Sequence, residues 1–465
     1  MATRQGEQAA LGQAAEQWEQ PRADAPRVLR VRSASGVWLA RALPPVLLLL
    51  YIGFWAVTSL QNMNETDLDA FFLPSVQIAL AGHPLHIYQT RYYTIYPNAN
   101  GPLSMLPLTL VAWVAARLGW LGDVHLRRML VDAVFAVFPL LLGREALLAL
   151  DRLLPARPAG LWRWLALACF VLTPELWHSV LLYGHIEQPI MIWLVLWAVR
   201  ALGEGHAWRG GLLLGLALLT RTTALLYLLP LTLTLLLRGE RAAAVKTAAV
   251  AAGTAVLGLL PFWLADPRNL TYSLVTFRGV LPIGGGSFWL LASGTPLESF
   301  AQRDDGLVVA VAASLVTLLT LLLRRDLSVR SRDMYALLAI SGLCFPLLLK
   351  TLWPYYYLDV SIFLTLWWLG AAPSRRTWDT WLHWLAGATA PLAAIGIAEL
   401  SELVYSSVLN QAWTVPWSLA VGLATFALLA AICAVLWQRR ASTPDDETTG
   451  AAAGPLERGA TALAV

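Results

Sequence analysis

Residues 210–237 read GGLLLGLALLTRTTALLYLLPLTLTLLL, an apolar run interrupted by a single charge, Arg221. A membrane helix needs about 20 residues, so this run is long for one crossing and short for two. A second run, 103–118, is short even for one. Parity couples the two anomalies. Either 103–118 crosses and 210–237 is one long helix, or 103–118 stays in or dips into the outer leaflet and 210–237 is two short helices broken near Thr220–Thr223. Arg144, Arg152, Arg157 and Arg163 lie between the two runs, and clustered positive charge favours the cytoplasmic side. That selects the second arrangement, which brings Tyr183-Gly184-His185-Ile186-Glu187-Gln188 to the outer face.

Working outward, further apolar runs lie near 43–60, 129–142, 161–180, 186–202, 248–264, 307–323, 334–350, 356–371, 381–400 and 414–437. The chain has 465 residues, 58% hydrophobic and 13% charged, with a mean hydropathy of +0.60. Soluble domains carry about 25% charged residues, so lipid is the expected solvent for most of this chain. The expected fold is all-α and polytopic, with about twelve crossings and both termini cytoplasmic. The net charge of +4 comes in short arginine clusters between apolar runs, which fits the positive-inside pattern and no nucleic-acid partner. Cys169, Cys344 and Cys433 lie in apolar runs without metal-type spacing and read as small buried hydrophobes. Residues 1–40 read as a polar cytoplasmic N-terminus without a cleavable leader. Residues 41–240 form one membrane module with an outer loop at 61–102. Residues 241–438 form another with a second outer loop at 265–306, where Gly284-Gly285-Gly286 reads as flexible. Residues 439–465 read as a disordered cytoplasmic tail.

The first outer loop holds the chemistry. It opens with Asn64-Glu65-Thr66-Asp67-Leu68-Asp69 and runs to Gly101-Pro102. A long, aromatic-rich loop set after a first span is expected to be folded and functional. With His185, Glu187, Arg221, Arg278, Lys350 and Tyr355–Tyr357 it places carboxylates beside several cations at the ends of apolar runs. Sugar transfer from a lipid phosphate requires that pairing. The carboxylate accepts the proton of the attacking hydroxyl, and the cation stabilises charge on the departing phosphate. A charge inside an apolar run, as at Arg221, is functional by default, and a guanidinium fork suits phosphate oxygens. Lys350 is a second phosphate candidate or a snorkelling lysine. The three tyrosines read as interfacial belt residues before sugar contacts. Asp67 has a simpler alternative as a helix cap. The histidines His83, His86, His178 and His185 lack ligand spacing, and no metal or cofactor is expected.

These residues carry a resemblance. Asp67-Leu68-Asp69-Ala70-Phe71-Phe72, Gly82-His83-Pro84-Leu85-His86-Ile87-Tyr88, Tyr96-Pro97 and Gly101-Pro102-Leu103 look like the first outer loop of the GT-C superfamily of integral-membrane glycosyltransferases. The nearest pattern is that of polyprenyl-phosphate-mannose-dependent mannosyltransferases and their bacterial relatives. It continues through Thr173-Pro174, Gly184-His185-Ile186-Glu187-Gln188 and Gly211 to Arg221, and covers roughly residues 43–240. This chain departs from it where Gly-Gln-Asp or Gly-Gln-Asn is frequent and where Lys often stands in place of Arg221.

The resemblance implies a hexosyltransferase, mannose being the family's usual sugar, that draws on a polyprenyl-phosphate donor. The acceptor would be lipid-linked or exported and would be met on the outer face of the plasma membrane. It implies inversion with Asp67 as base and Asp69 as the second catalytic candidate. Tyr96, His185, Glu187 and Arg221 lie within the resembled stretch and, with Lys350 and Tyr356 from the later half, are the expected substrate-binding residues. The rivals are a transporter or flippase of lipid-linked sugars, which would bury ionisable residues mid-span, and a non-catalytic envelope scaffold, which would leave Asp67 exposed and dispensable.

Overall fold

The structure, a computed structural model, describes residues 44–53, 55–57, 67–89, 97–154, 161–284, 286–371, 382, 384–405 and 414–438. Among these every regular element is helical. Glu65, Arg91 and Tyr96, the polar N-terminus and the tail lie outside the described residues.

A wide turn at Leu68–Phe72 leads into α1 (Leu73–Leu80), and after the loop come α2 (Pro102–Arg117) and α3 (Val124–Leu153). There follow α4 (Leu161–Val171), continued at a bend of 49° through Pro174–Leu182, then α5 (Glu187–Gly203), α6 (Ala207–Thr220), α7 (Leu225–Leu237) and α8 (Arg241–Ala265). The second half contributes α9 (Glu298–Leu323), α10 (Asp333–Leu348), α11 (Leu358–Leu369), α12 (Thr389–Tyr405) and α13 (Thr414–Gln438).

Lipid is the solvent this shape requires. α8 is apolar yet almost wholly exposed, with Leu257 69% and Leu264 67% accessible, whereas α10 and α11 are buried nearly throughout. Among the described residues five helices are long and apolar enough to cross a membrane, or six if the bent pair counts as one span. The other apolar helices are shorter, so helix length alone does not yield about twelve crossings.

The run 210–237 is two helices. Arg221 is extended (φ −150°, ψ 131°) and is followed by a short 3₁₀ turn, Thr222–Ala224. The direction of the two halves follows from α8. Gly211 faces Thr247, Gly215 faces Ala251 and Thr254, and Leu219 packs on Gly258. α6 and α8 are therefore parallel, and α7, which joins them, runs the opposite way. Gly211 and Gly215 are four apart, the small-residue spacing that lets two membrane helices approach closely.

α2 keeps both ends on one face. The Gly101 N–H at its start donates to Thr220 O (3.0 Å), at the end of α6. The loop after it is held by Arg127, which bonds Leu121 O (2.8 Å) and pairs with Asp69 (2.8 Å), two residues beyond Asp67. On the opposite face Arg152 pairs with Glu204 (2.6 Å), Arg330 bonds Gly203 O (2.6 Å) and Arg324 bonds Leu436 O (2.7 Å).

The second outer loop is less open than expected. It contains the helical pieces Pro267–Thr271, Phe277–Val280 and Phe288–Ala292, and α9 already begins at Glu298. Gly284 and Gly286 are tied down there, because Gly284 N donates to Lys350 O (2.8 Å) and Gly286 N to Ser418 Oγ (2.9 Å).

A side chain at Gly101 would collide with the Leu219 carbonyl. Gly101→Ala is expected to destabilise the protein by about 1–3 kcal/mol, the usual cost of overpacking. Thermal unfolding of the detergent-solubilised chain should show this as a drop of several degrees.

Candidate active site

Four segments meet at the face where α2 begins. The first is the turn Leu68–Phe72, preceded by Asp67. The second is the loop Tyr183–Ile186 with the first residues of α5. The third is the break at Arg221, and the fourth is the turn Pro354–Tyr357 before α11.

Gly184 lets the first two meet. Its φ is +73°, a region open to glycine at little cost, and a Cβ there would lie 2.7 Å from Leu68 Cβ. The backbone of His185 is clamped by Ser179 from both sides: His185 N donates to Ser179 O (2.7 Å), and Ser179 Oγ donates to His185 O (2.8 Å). Arg128 fixes the same loop through Leu181 O (2.6 Å), one residue along from the Arg127 that holds Asp69.

The side chains form one polar chain. Asp67 Oδ2 lies 2.9 Å from His185 Nε2, and His185 Nδ1 lies 2.5 Å from Glu187 Oε1. Glu187 is 3.5 Å from Arg221, whose Nη1 donates to Gln188 Oε1 (2.9 Å). Gln188 Nε2 in turn donates to Asp359 Oδ1 (3.2 Å), and Tyr227 OH donates to the other Asp359 oxygen. The Tyr355 hydroxyl is 3.0 Å from His185 Nε2. The Arg221 guanidinium stands over the Tyr356 ring at 5.1 Å and the Tyr355 ring at 5.9 Å, the cation–π geometry of a desolvated charge. Glu187 and Arg221 are buried; the Asp67 side chain is the most open of the charged groups, at 19%.

The expected site residues separate into two groups. Asp67, His185, Glu187, Arg221 and Tyr356 come together. Asp67 makes no helix-cap bond, and its Oδ1 takes no partner among the described residues, so the cap alternative has no support. Asp69 is spent on Arg127. Lys350 is buried, and its ammonium donates to Gln302 O while its own N–H donates to Asp305 (3.2 Å). Burial lowers its pKa first, with Arg278 adding to the effect against Asp305. Tyr355–Tyr357 are buried, so a belt at the membrane surface is the wrong description: two of them wall the arginine. Gln188, Tyr227 and Asp359 were not among the expected site residues: Gln188 stood in the quoted stretch without a role, Asp359 counted only as a hint of the transporter reading, and Tyr227 gave no signal.

Acids are also buried elsewhere. Asp132 pairs with Arg128 (3.3 Å), Glu145 with Arg200 (2.5 Å), and Glu175 accepts from Ser361 (2.9 Å). Among the described residues no cluster of three or more His, Cys, Asp or Glu could hold a metal ion.

No family model matches the chain, and no curated protein does. Among solved structures, that of ArnT from Cupriavidus metallidurans bound to undecaprenyl phosphate is similar over 84% of this chain and 72% of that chain, with a TM-score of 0.43 and 16% identity. So loose a likeness assigns neither fold nor activity.

Burial pulls the pKa of His185 down, but the Glu187 carboxylate and the bond to Asp67 outweigh it and raise the value from 6.5 to about 9. A raised pKa means stability that is fully present below pH 6.5 and lost as pH climbs through about 9. The shift corresponds to about 3 kcal/mol. Thermal unfolding followed from pH 6 to pH 10 should show this loss in the wild type, and His185→Gln should flatten the curve.

Proposed function

We propose that this chain is a membrane glycosyltransferase of the GT-C kind. It transfers a hexose, mannose by the resemblance of its first half, from a polyprenyl-phosphate donor to a lipid-linked or exported acceptor. The observation that carries this proposal is a carboxylate whose Oδ1 has no partner among the described residues, Asp67, in the same polar chain as a buried arginine. Beyond its bond to Gln188 and its ion pair with Glu187, Arg221 makes no further hydrogen bond to a described side chain. A base beside a desolvated cation is what phosphate departure at a sugar carbon needs.

The acceptor hydroxyl oxygen attacks the anomeric carbon, and its proton passes to Asp67. The bond from that carbon to the phosphate oxygen breaks, and its electron pair leaves with the phosphate, held by Arg221. Attack from the face opposite the departing group inverts the anomeric centre. Tyr356 backs the arginine, whereas Asp69 and Lys350 have other partners and take no part in this step.

The site face is then extracytoplasmic, and the face carrying Arg152, Arg324 and Arg330 is cytoplasmic, in keeping with the positive-inside rule. With α2 kept in the outer leaflet and α6 and α7 each crossing, the chain traverses the plasma membrane about twelve times and both termini lie inside. The buried acids favour a transporter more than the sequence did, yet Asp132, Glu145, Glu175 and Asp359 each have a partner.

Membranes supplied with radiolabelled polyprenyl-phosphate-mannose, and with other polyprenyl-phosphate sugars in parallel, test the assignment. Wild type should move label covalently into membrane lipid, and a folded Asp67→Asn should lose at least a hundredfold, within the range for removal of a general base. Arg221→Ala should lower kcat comparably, with Arg221→Lys recovering part of it. Label that crosses the bilayer without changing its covalent carrier would instead identify a transporter.

A further inference from the structure

Asp67 and Glu187 flank one imidazole ring from different elements, one ahead of the Leu68–Phe72 turn and the other from the first residue of α5. Converging carboxylates repel each other. The common remedy is a divalent cation such as magnesium, held by one or two carboxylates with water completing its shell. In this chain the gap holds the His185 ring, 2.9 Å from Asp67 Oδ2 at Nε2 and 2.5 Å from Glu187 Oε1 at Nδ1. Nε2 also lies 3.0 Å from the Tyr355 hydroxyl; a ring that donates to a carboxylate from each nitrogen is the imidazolium.

The ring cannot slide out of this gap. Ser179 pins its backbone, the Phe72 ring meets it edge-on at 5.2 Å and the Tyr355 ring covers it at 4.6 Å. The charged and titratable groups around it are Asp67 from the first loop, Glu187 from α5, Arg221 from the helix break, and Tyr355 and Tyr356 from the turn before α11. Asp359 lies behind Gln188.

We propose that His185 is a built-in cation held between Asp67 and Glu187, taking the charge-balancing part that a divalent ion plays between paired carboxylates, and that it orients Asp67 for proton abstraction. This rests on Asp67 being the base of the proposed transfer. His185 ties up Oδ2 and leaves Oδ1 toward the acceptor. It is a positioning residue, and Glu187 is its anchor. The same arrangement gives a reason for histidine and glutamate in a segment where the resembled family often has glutamine followed by Asp or Asn.

The test uses the full chain in nanodiscs with ¹⁵N-labelled histidine. At pH 8, where an ordinary histidine is neutral, one of the seven rings should carry protons on both nitrogens, and that signal should be absent from His185→Gln. Should that variant not fold, Asp67→Asn keeps the ring and removes one carboxylate, and the signal should then disappear at a lower pH than in wild type. In parallel, Mn²⁺ alone is titrated and free ion is followed by electron paramagnetic resonance; wild type and Asp67→Asn should leave equal free Mn²⁺. A neutral ring at pH 8, or one equivalent of Mn²⁺ held by wild type and released by Asp67→Asn, would overturn the proposal. Neither measurement needs a sugar donor. Doubly protonated His185 in a chain without transferase activity would retire the reaction and keep the bridge, and transfer by a chain with neutral His185 would do the reverse.

Discussion

The contact on which the site depends is the bridge from Asp67 through His185 to Glu187. It joins the first loop to the start of α5 across 118 positions of sequence. His185 and Glu187 are buried to a degree that makes a lone charge costly, and loss of one partner from a buried pair typically costs about 3–5 kcal/mol. The loop that carries Asp67 is thus fixed by the same charges that the proposed transfer uses. Arg127 and Arg128, neighbours at the start of α3, reinforce this by holding Asp69 and the Leu181 carbonyl on either side.

A second constraint is the break at Arg221. An unbroken helix over 210–237 would run about 42 Å and would carry the guanidinium into the middle of the bilayer with no turn to receive it. Breaking the run at an extended residue puts Arg221 at the end of two short helices, beneath Tyr355 and Tyr356 and beside Glu187. The small residues Gly211 and Gly215 let α8 lie close along α6, and the parallel course of those two helices forces α7 to reverse. Gly101 then docks on the end of α6, so α2 starts at the site.

The membrane environment explains why so few polar groups are enough. Water is excluded around α10 and α11, and a charge there acts in a low dielectric where each interaction is stronger than at a soluble surface. Glu187 pairs with the guanidinium and Gln188 accepts from it, while Asp359, itself bonded by Tyr227, holds the Gln188 amide in place.

Composition asked for a lipid solvent, and the long unbroken apolar runs asked for helices, in which backbone groups in hydrocarbon are satisfied within each segment. The apolar run lengths also located the break near Arg221, because 210–237 fits neither one span nor two comfortable ones. Asp67, His185, Glu187 and Arg221 were legible as candidates, being polar residues at the ends of apolar runs. Their pairing was not. No periodicity says that Asp69 turns to Arg127, that Lys350 turns to Gln302, or that Tyr355 and Tyr356 leave the surface to wall an arginine. Those choices are made by contacts between residues tens to hundreds of positions apart. Local sequence decides where a helix starts and stops, and only the packed bundle decides which charges face one another.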